Sequence, residues 1–485
     1  MNPYFCGLRP LVALCSLFAS LSVWAAEDNA ALLRQGEYVA RAADCAACHR
    51  TVEKGGPALA GGYAIDSPMG KIIASNITPS KTHGIGDYTE QQLADSLRKG
   101  VNAKGQRLYP AMPYTSYQGM SDEDIHALYV YLQQGVKPVD SAVAPTRLAF
   151  PFNIRPLMFG WNLLFLDGQG FVSKKPDDAQ LTRGQYLVDS LAHCGACHTP
   201  RNALMAEDPE RYLSGAALGG WIAPNITPDK ATGLGGWSND EVVAFLKNGH
   251  VTNKAQAAGG MAEAVENSLR FLTDDDLHAM AGYLKTVPAI ATGNHVASNP
   301  RNVMPIDMTT LETGQLDQAT LADANETDGA RLYNSACASC HGRDGQGTGD
   351  AFYPSLSQNS ALTGLHPNNL VMAIIQGIER KGADLQVSMP ALGSDLNDQQ
   401  IAAIANYSLQ RFGNPLLSVD EQTVASLRRG GDAPLLVVAM PYVIWGGGGL
   451  LLCLIVWGLV VHRQRKRERE IRAKRIALNR RFHSR

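Results

Sequence analysis

The pentapeptide Cys-x-x-Cys-His occurs three times, at Cys45–His49, Cys194–His198 and Cys337–His341. No other feature limits the chain as much. This is the attachment signature of c-type haem. Two thiols three residues apart share one face of a helical turn, so both can meet the vinyl groups of one porphyrin. The adjacent imidazole then reaches the iron as the proximal ligand. A redox dithiol or half a zinc site would explain one copy, but each leaves the following histidine without a role. Three copies at near-even spacing point to three covalently bound haem c groups, held by Cys45, Cys48, Cys194, Cys197, Cys337 and Cys340. Their iron ligands on one side are His49, His198 and His341.

Those six thiols leave Cys6 and Cys15 in the N-terminal segment and Cys453 in an apolar run, so no cysteine remains for a structural disulfide. The fold must rest on apolar packing and on the haems. At 485 residues several domains of ordinary size are expected.

The first two frames belong to an internal repeat. His49 precedes Asn76-Ile77-Thr78-Pro79 by 27 residues, and His198 precedes Asn225-Ile226-Thr227-Pro228 by the same 27. From His49 to Met112, and from His198 to Met261, the offset is 63 residues. Each unit opens with a helical stretch carrying Gly-x-Tyr (Gly36, Tyr38; Gly184, Tyr186). Each closes with another, Ser121–Leu132 and Thr273–Leu284, where Ser121 and Thr273 are N-caps followed by acids. The third unit lacks the Asn-Ile-Thr-Pro element. It opens near Ala330–Ala336 and closes over about Asp398–Gln410. The boundaries expected are 27–137, 177–290 and 324–414. Residues 138–176 form an aromatic, proline-punctuated connector, expected as an apolar strap packed across domains, and 291–323 form an extended one.

Both ends of the chain carry membrane signals. Arg9, an apolar stretch from Leu11 to Val23 and the small residues Ala25 and Ala26 make residues 1–26 an export signal. Near the other end, Val443 to Val461 is free of charge and about as long as the ~20 residues a span requires. The helix is expected over 435–461, with Pro441 as a kink. The tail 462–485 follows, with eleven Lys/Arg against Glu468 and Glu470. That asymmetry puts the tail in the cytoplasm and the haem-bearing part in the periplasm of a bacterial inner membrane. Since the whole chain is only −2, the part ahead of the tail is distinctly acidic, which suits steering of a complementary partner or plain solubility.

An electron-carrying haem needs a sixth ligand, and methionine thioether is the usual one. Met112, in Ala-Met-Pro-Tyr, is chosen over Met69 and Met120. Met389, in Ser-Met-Pro-Ala, is chosen over Met372. Proline after the ligand stiffens each loop. Met261 has no such proline, and Met205, Met280 and His250 compete with it. Asn76 and Asn225 lie in loops near the haem edge with no role assigned. His126 and His278 are expected at the surface or in packing. There is no dinucleotide fingerprint, Walker loop or nucleophile elbow, no second cofactor, no catalytic residue and no sign of nucleic-acid binding.

With Cys-Ala-Ala-Cys-His, Cys-Gly-Ala-Cys-His, Cys-Ala-Ser-Cys-His, the two Asn-Ile-Thr-Pro loops and Leu108–Tyr114, the chain closely resembles the three-haem cytochrome c subunits of bacterial membrane-bound dehydrogenases. These act on alcohols, aldehydes, gluconate or sorbitol, and similar subunits serve nicotinate dehydrogenases. The resemblance implies a mainly α fold: three tandem class I cytochrome c domains, each His/Met-ligated, plus here one C-terminal transmembrane helix. That helix and its long basic tail are not found in every member. The resemblance further implies a catalytic partner carrying flavin, pyrroloquinoline quinone or molybdopterin, with ubiquinone or a terminal oxidase as acceptor. Two other readings stay open. A haem enzyme of peroxidase or thiosulfate dehydrogenase type would need an open, cysteine or histidine-only axial position. A cytochrome subunit of a terminal oxidase would need an oxidase partner.

Overall fold

The computed structural model describes residues 28–53, 55–293, 318–349 and 352–482. The expected export signal and most of the 291–323 connector lie outside the described residues. The described fold is mainly helical, with four small antiparallel sheets. Residues through Asp432, apart from 203–205, form one body, and the C-terminal helix belongs to a second.

Each of the three stretches carrying a Cys-x-x-Cys-His frame is built on a crossing of its opening and closing helices. A glycine lies at every crossing, because a side chain there would meet backbone. A Cβ on Gly36 would fall 2.0 Å from the carbonyl oxygen of Ala127, one on Gly184 2.0 Å from that of Ala279, and one on Gly329 2.3 Å from that of Ala403. The closing helices start where the cap residues dictate. Ser121 accepts from the backbone N–H of Asp124, Thr273 from that of Asp276, and Asn397 forms a capping box with Gln400. Their apolar faces supply Ile125, Leu128, Leu277, Met280, Ile401 and Ile404 to the core.

The first two stretches share a continuous apolar cluster, and the third has its own. The seam between the first two is reciprocal. Tyr38 Oη donates to Asp276 at 2.6 Å, and Tyr186 Oη donates to Asp124 at 2.7 Å. The same hydroxyls accept from the backbone N–H of Thr273 and Ser121. A repeated sequence thus pairs with itself as two subunits of an isologous dimer would. The Gly-x-Tyr of the sequence repeat is both the crossing point and this clasp.

The third stretch attaches to the second by different contacts. Asn369 clamps the backbone N–H and carbonyl of Ile222 at 2.8 and 2.9 Å. Arg380, 2% exposed, donates to the carbonyl of Ala257 at 2.5 Å and to Gln256 at 2.9 Å. Its Nε has no hydrogen-bond partner among the described residues, and burial lowers its pKa to about 10. Arg380→Ala should cost about 2–4 kcal/mol, through the cavity and the acceptors it strands. Arg380→Met should retain most of that stability, because it fills the space and removes an uncompensated buried cation. The unfolding midpoints of the two variants check this; equal losses would refute it.

Two boundaries extend past the expected ones. Residues 415–428 belong to the third core: helix Glu421–Arg428 contributes Val424 and Leu427. A short helix, Gln318–Ala322, stands in the connector expected to be extended. The 138–176 connector is packed, but not as an apolar strap. Strand Arg147–Leu148 joins the Ala64–Ser67/Gly70–Ile73 hairpin, and helix Leu157–Phe165 buries the polar Asn162 while Leu157, Phe159, Leu163 and Leu164 point outward.

The second unit, described by itself, is one helix, Leu435–Phe482. Its apolar part has the length and composition of a membrane span. The helix runs through Pro441 and the four glycines and continues into the basic tail, whose Arg, Lys, Glu and Ala residues favour helix.

Candidate haem-binding sites

The three histidines share one arrangement. His49 Nδ1 bonds the carbonyl oxygen of Ser75 at 2.6 Å, His198 Nδ1 that of Pro224 at 2.7 Å, and His341 Nδ1 that of Pro354 at 3.0 Å. A carbonyl can only accept, so Nδ1 carries the proton and the lone pair lies on Nε2. Burial lowers all three pKa values, which keeps the imidazoles neutral. A neutral ring oriented by Nδ1–H···O=C is the form that binds a metal through Nε2.

This geometry also gives the Asn-Ile-Thr-Pro loops their role, which sequence reading left unassigned. Ser75 and Pro224 are the residues just before Asn76 and Asn225. Each asparagine folds its loop by accepting from the backbone and hydroxyl of the threonine two residues on (2.9 and 2.7 Å in both loops). Asn76 Nδ2 then donates to Val139, and Asn225 Nδ2 to Ile290. The asparagines therefore set the carbonyls that orient the histidines. Their shared offset of 27 residues was the available signal.

The cysteines start short turns. Cys45–Cys48 is one helical turn, and Cys194 and Cys337 are the N-caps of Gly195–His198 and Ala338–His341. Burial pushes the Cys45, Cys194 and Cys337 thiols up to about 12 and Cys48 to about 11. That is opposite to the lowered thiol pKa of a redox-active dithiol. Among the described residues there is neither a disulfide nor a His/Cys/Asp/Glu group able to hold a metal ion by itself. Paired thiols with one oriented imidazole per frame fit haem c attachment.

The methionines divide by burial. Met120, Met280 and Met372 are sealed in the core at 2%, 0% and 2% exposure. Met112 and Met261 are half-buried against the cluster that also receives Cys45 and Cys194. Met112 lies in a tight loop pinned by the buried Tyr114, whose hydroxyl donates to Asn162 at 2.8 Å. Without a following proline, Met261 sits instead in the first turn of helix Gly259–Asn267. Met389 ends strand Gln386–Met389, just before Pro390. Met69 stands at a hairpin turn, and Met205 lies in left-handed backbone (φ 66°). His250 has both ring nitrogens engaged, by Gln256 and Thr252. His126 and His278 pair with Glu90 and Asp240 at the surface.

The first and second frames face one another. Cys48 lies within electrostatic reach of Cys197, and Asp44 of Cys197. Arg50 bridges to Glu263 at 2.8 Å. Asp44 precedes Cys45 in left-handed backbone (φ 52°), and its Oδ1 is buried without a partner among the described residues. Burial first, then the Glu263 carboxylate, pushes the Asp44 carboxyl up to about 8, against the pull of Arg50. An unfolded aspartate titrates near 3.9, so between about pH 4 and 8 the folded chain holds a proton that the unfolded chain has lost. The Asp44 contribution to stability therefore falls as pH rises through that window and levels off above it. Asp44→Asn should flatten this fall, measured as unfolding midpoints at both ends of the window. A variant as pH-dependent as the parent would refute the assignment.

A family model described as "Cytochrome c" matches residues 181–288. Another, "Cytochrome C oxidase, cbb3-type, subunit III", matches 31–132 and 324–407. Among curated relatives, the fructose dehydrogenase cytochrome subunit of Gluconobacter japonicus is 44% identical, over 90% of this chain and 92% of its own length. The gluconate 2-dehydrogenase cytochrome c subunit of Pantoea cypripedii is 39% identical, over 87% and 95%. The cytochrome c subunit of the alcohol dehydrogenase (quinone) of Gluconobacter oxydans (strain 621H) is 37% identical, over 84% of each. Oriented imidazoles behind paired thiols, in a chain this similar to these subunits along nearly its whole length, lead to one assignment: it belongs to the family of cytochrome c subunits of membrane-bound dehydrogenases, whose cytochrome c domains carry covalently attached haem.

Proposed function

We propose that the chain is a three-haem electron-transfer subunit of a periplasmic, inner-membrane dehydrogenase complex. One observation carries the reading: all three frames hold a neutral histidine by Nδ1, so each offers the same Nε2 donor. Haem, when bound, supplies a one-electron iron couple. Everything else is the chain's work. His49, His198 and His341 would hold the iron together with Met112, Met261 and Met389. The rivals Met120, Met280, Met372 and His250 are already enclosed or hydrogen-bonded. An iron held by both residues of each pair would have no position left for substrate, which favours electron transfer over peroxidase-type chemistry.

The domains would be 27–137, 177–290 and 324–414 with the added 415–428. Residues 1–26 would direct export, 435–461 would span the membrane, and the basic tail would remain in the cytoplasm. Electrons would enter from a catalytic subunit bearing flavin, pyrroloquinoline quinone or molybdopterin, and leave to ubiquinone or a terminal oxidase. The electrostatic influence of Cys197 on Cys48 supports direct exchange between the first two haems.

Purification in mild detergent should yield the chain together with one larger dehydrogenase subunit whose substrate reduces all of its haem. Isolation as a stable lone protein, or haem that substrate leaves oxidised, would overturn this reading.

A further inference from the structure

Helix Leu157–Phe165 reads Leu-Met-Phe-Gly-Trp-Asn-Leu-Leu-Phe, without a charge. A nine-residue helix of this composition normally packs its apolar side inward. Here the inward contacts are polar or edge-on: Asn162 bonds Tyr114 Oη at 2.8 Å and the carbonyl of Lys99 at 3.2 Å, and Trp161 meets Tyr114 at 6.2 Å. Outward stand Leu163, 75% exposed, and Leu164, 66% exposed, with Leu157 and Phe159. Phe150 and Ile154 extend the patch upstream. Several large apolar side chains exposed on and beside one short helix mark a surface that meets a membrane or a partner.

The rim is cationic. Arg107 lies over the Phe159 ring at 5.3 Å. Arg155 lies over Tyr109 at 4.7 Å and donates to the carbonyl of Arg107 at 2.9 Å. Arg147, exposed, precedes the patch. Among the described residues, none of the three is paired with a carboxylate; the exposed Asp167 lies two residues past the helix end. This rim stands out in a chain that is net acidic ahead of its tail. Apolar and aromatic side chains ringed by unpaired arginines match an interfacial anchor: the aliphatic face enters the acyl boundary and the guanidiniums meet lipid phosphates. At about 14 Å the helix is too short to cross a bilayer.

We propose that helix Leu157–Phe165, with Arg107, Arg147 and Arg155, lies in an anionic bilayer surface as a second, interfacial membrane contact. Because Asn162 is bonded to Tyr114, two residues beyond Met112, the contact would bring the Met112 loop to the membrane boundary. The inference relies on the proposed 435–461 span only for proximity to the membrane.

The test uses the full haem-bearing chain with its catalytic subunit, in vesicles of phosphatidylethanolamine and phosphatidylglycerol doped with a diazirine phospholipid. Labelled peptides are read by mass spectrometry. Residues 150–166 should be labelled along with 435–461, and the exposed loop around Val52 should not. Leaving out phosphatidylglycerol, or introducing Leu163→Glu with Leu164→Glu, should lower labelling of 150–166 at least about tenfold, the factor for 1.4 kcal/mol. Labelling of 435–461 and the haem spectrum should not change. Labelling of 435–461 without 150–166 overturns this inference alone, and cross-linking of 150–166 to the catalytic subunit assigns the patch to protein instead. Absence of label from both segments overturns the spanning reading as well.

Discussion

If the proposed three-haem reading holds, a chain carrying Cys194→Ser with Cys197→Ser is expected to hold two covalent haems instead of three, and to stop passing electrons between its ends. The second frame lies in the middle stretch, which among the described residues is clasped by both others. Tyr38–Asp276 and Tyr186–Asp124 join it to the first, and Asn369–Ile222 and Arg380–Ala257 join it to the third. Removing its haem leaves the outer two without a stepping stone. The fold should survive, because Leu187, Leu191, Leu277 and Met280 are sealed in the core while Cys194 is only partly buried against it. Pyridine haemochrome absorbance per polypeptide should fall by a third, and substrate-driven reduction of the terminal acceptor should be lost. Cys337→Ser with Cys340→Ser should remove the same amount of haem from one end. If the Cys194/Cys197 variant keeps three haems or full turnover, both the count and the serial order are wrong.

Met112→His should lower the potential of one haem by on the order of 0.2 V, a modest part of the about 0.8 V that axial ligands span. Thioether favours the reduced iron more than imidazole does, so the sign is downward. Met120→Leu is the control, since Met120 is enclosed in the core and the swap nearly conserves volume. Spectroelectrochemical titration should show one component moving for Met112→His and none for Met120→Leu. The reverse pattern would make Met120 the ligand. Met389→His should move a different component.

How much of this was legible in the sequence depended on how local the cause was. The frames, the N-caps Ser121 and Thr273 and the apolar run before the basic tail are set within one or two helical turns, or one short window. The helices begin where those residues say. The repeat offsets also singled out the Asn-Ile-Thr-Pro loops, but not their function. A carbonyl 26 residues from its histidine is an acceptor only after the loop closes. The connector was misjudged because its aromatic content suggests burial, whereas one asparagine seated against Tyr114 turned its apolar side outward.

By itself the sequence determined where the Cys-x-x-Cys-His frames fall, how many times they recur and where one stretch is apolar enough for lipid, since these depend on neighbours along the chain. Only tertiary structure decided that the two repeats clasp reciprocally, that Asp44 and Arg380 are buried without opposite charges bonded to them, and which methionines remain half-open. Those outcomes follow from desolvation and pairing between residues up to hundreds of positions apart, for which a linear pattern carries no distance.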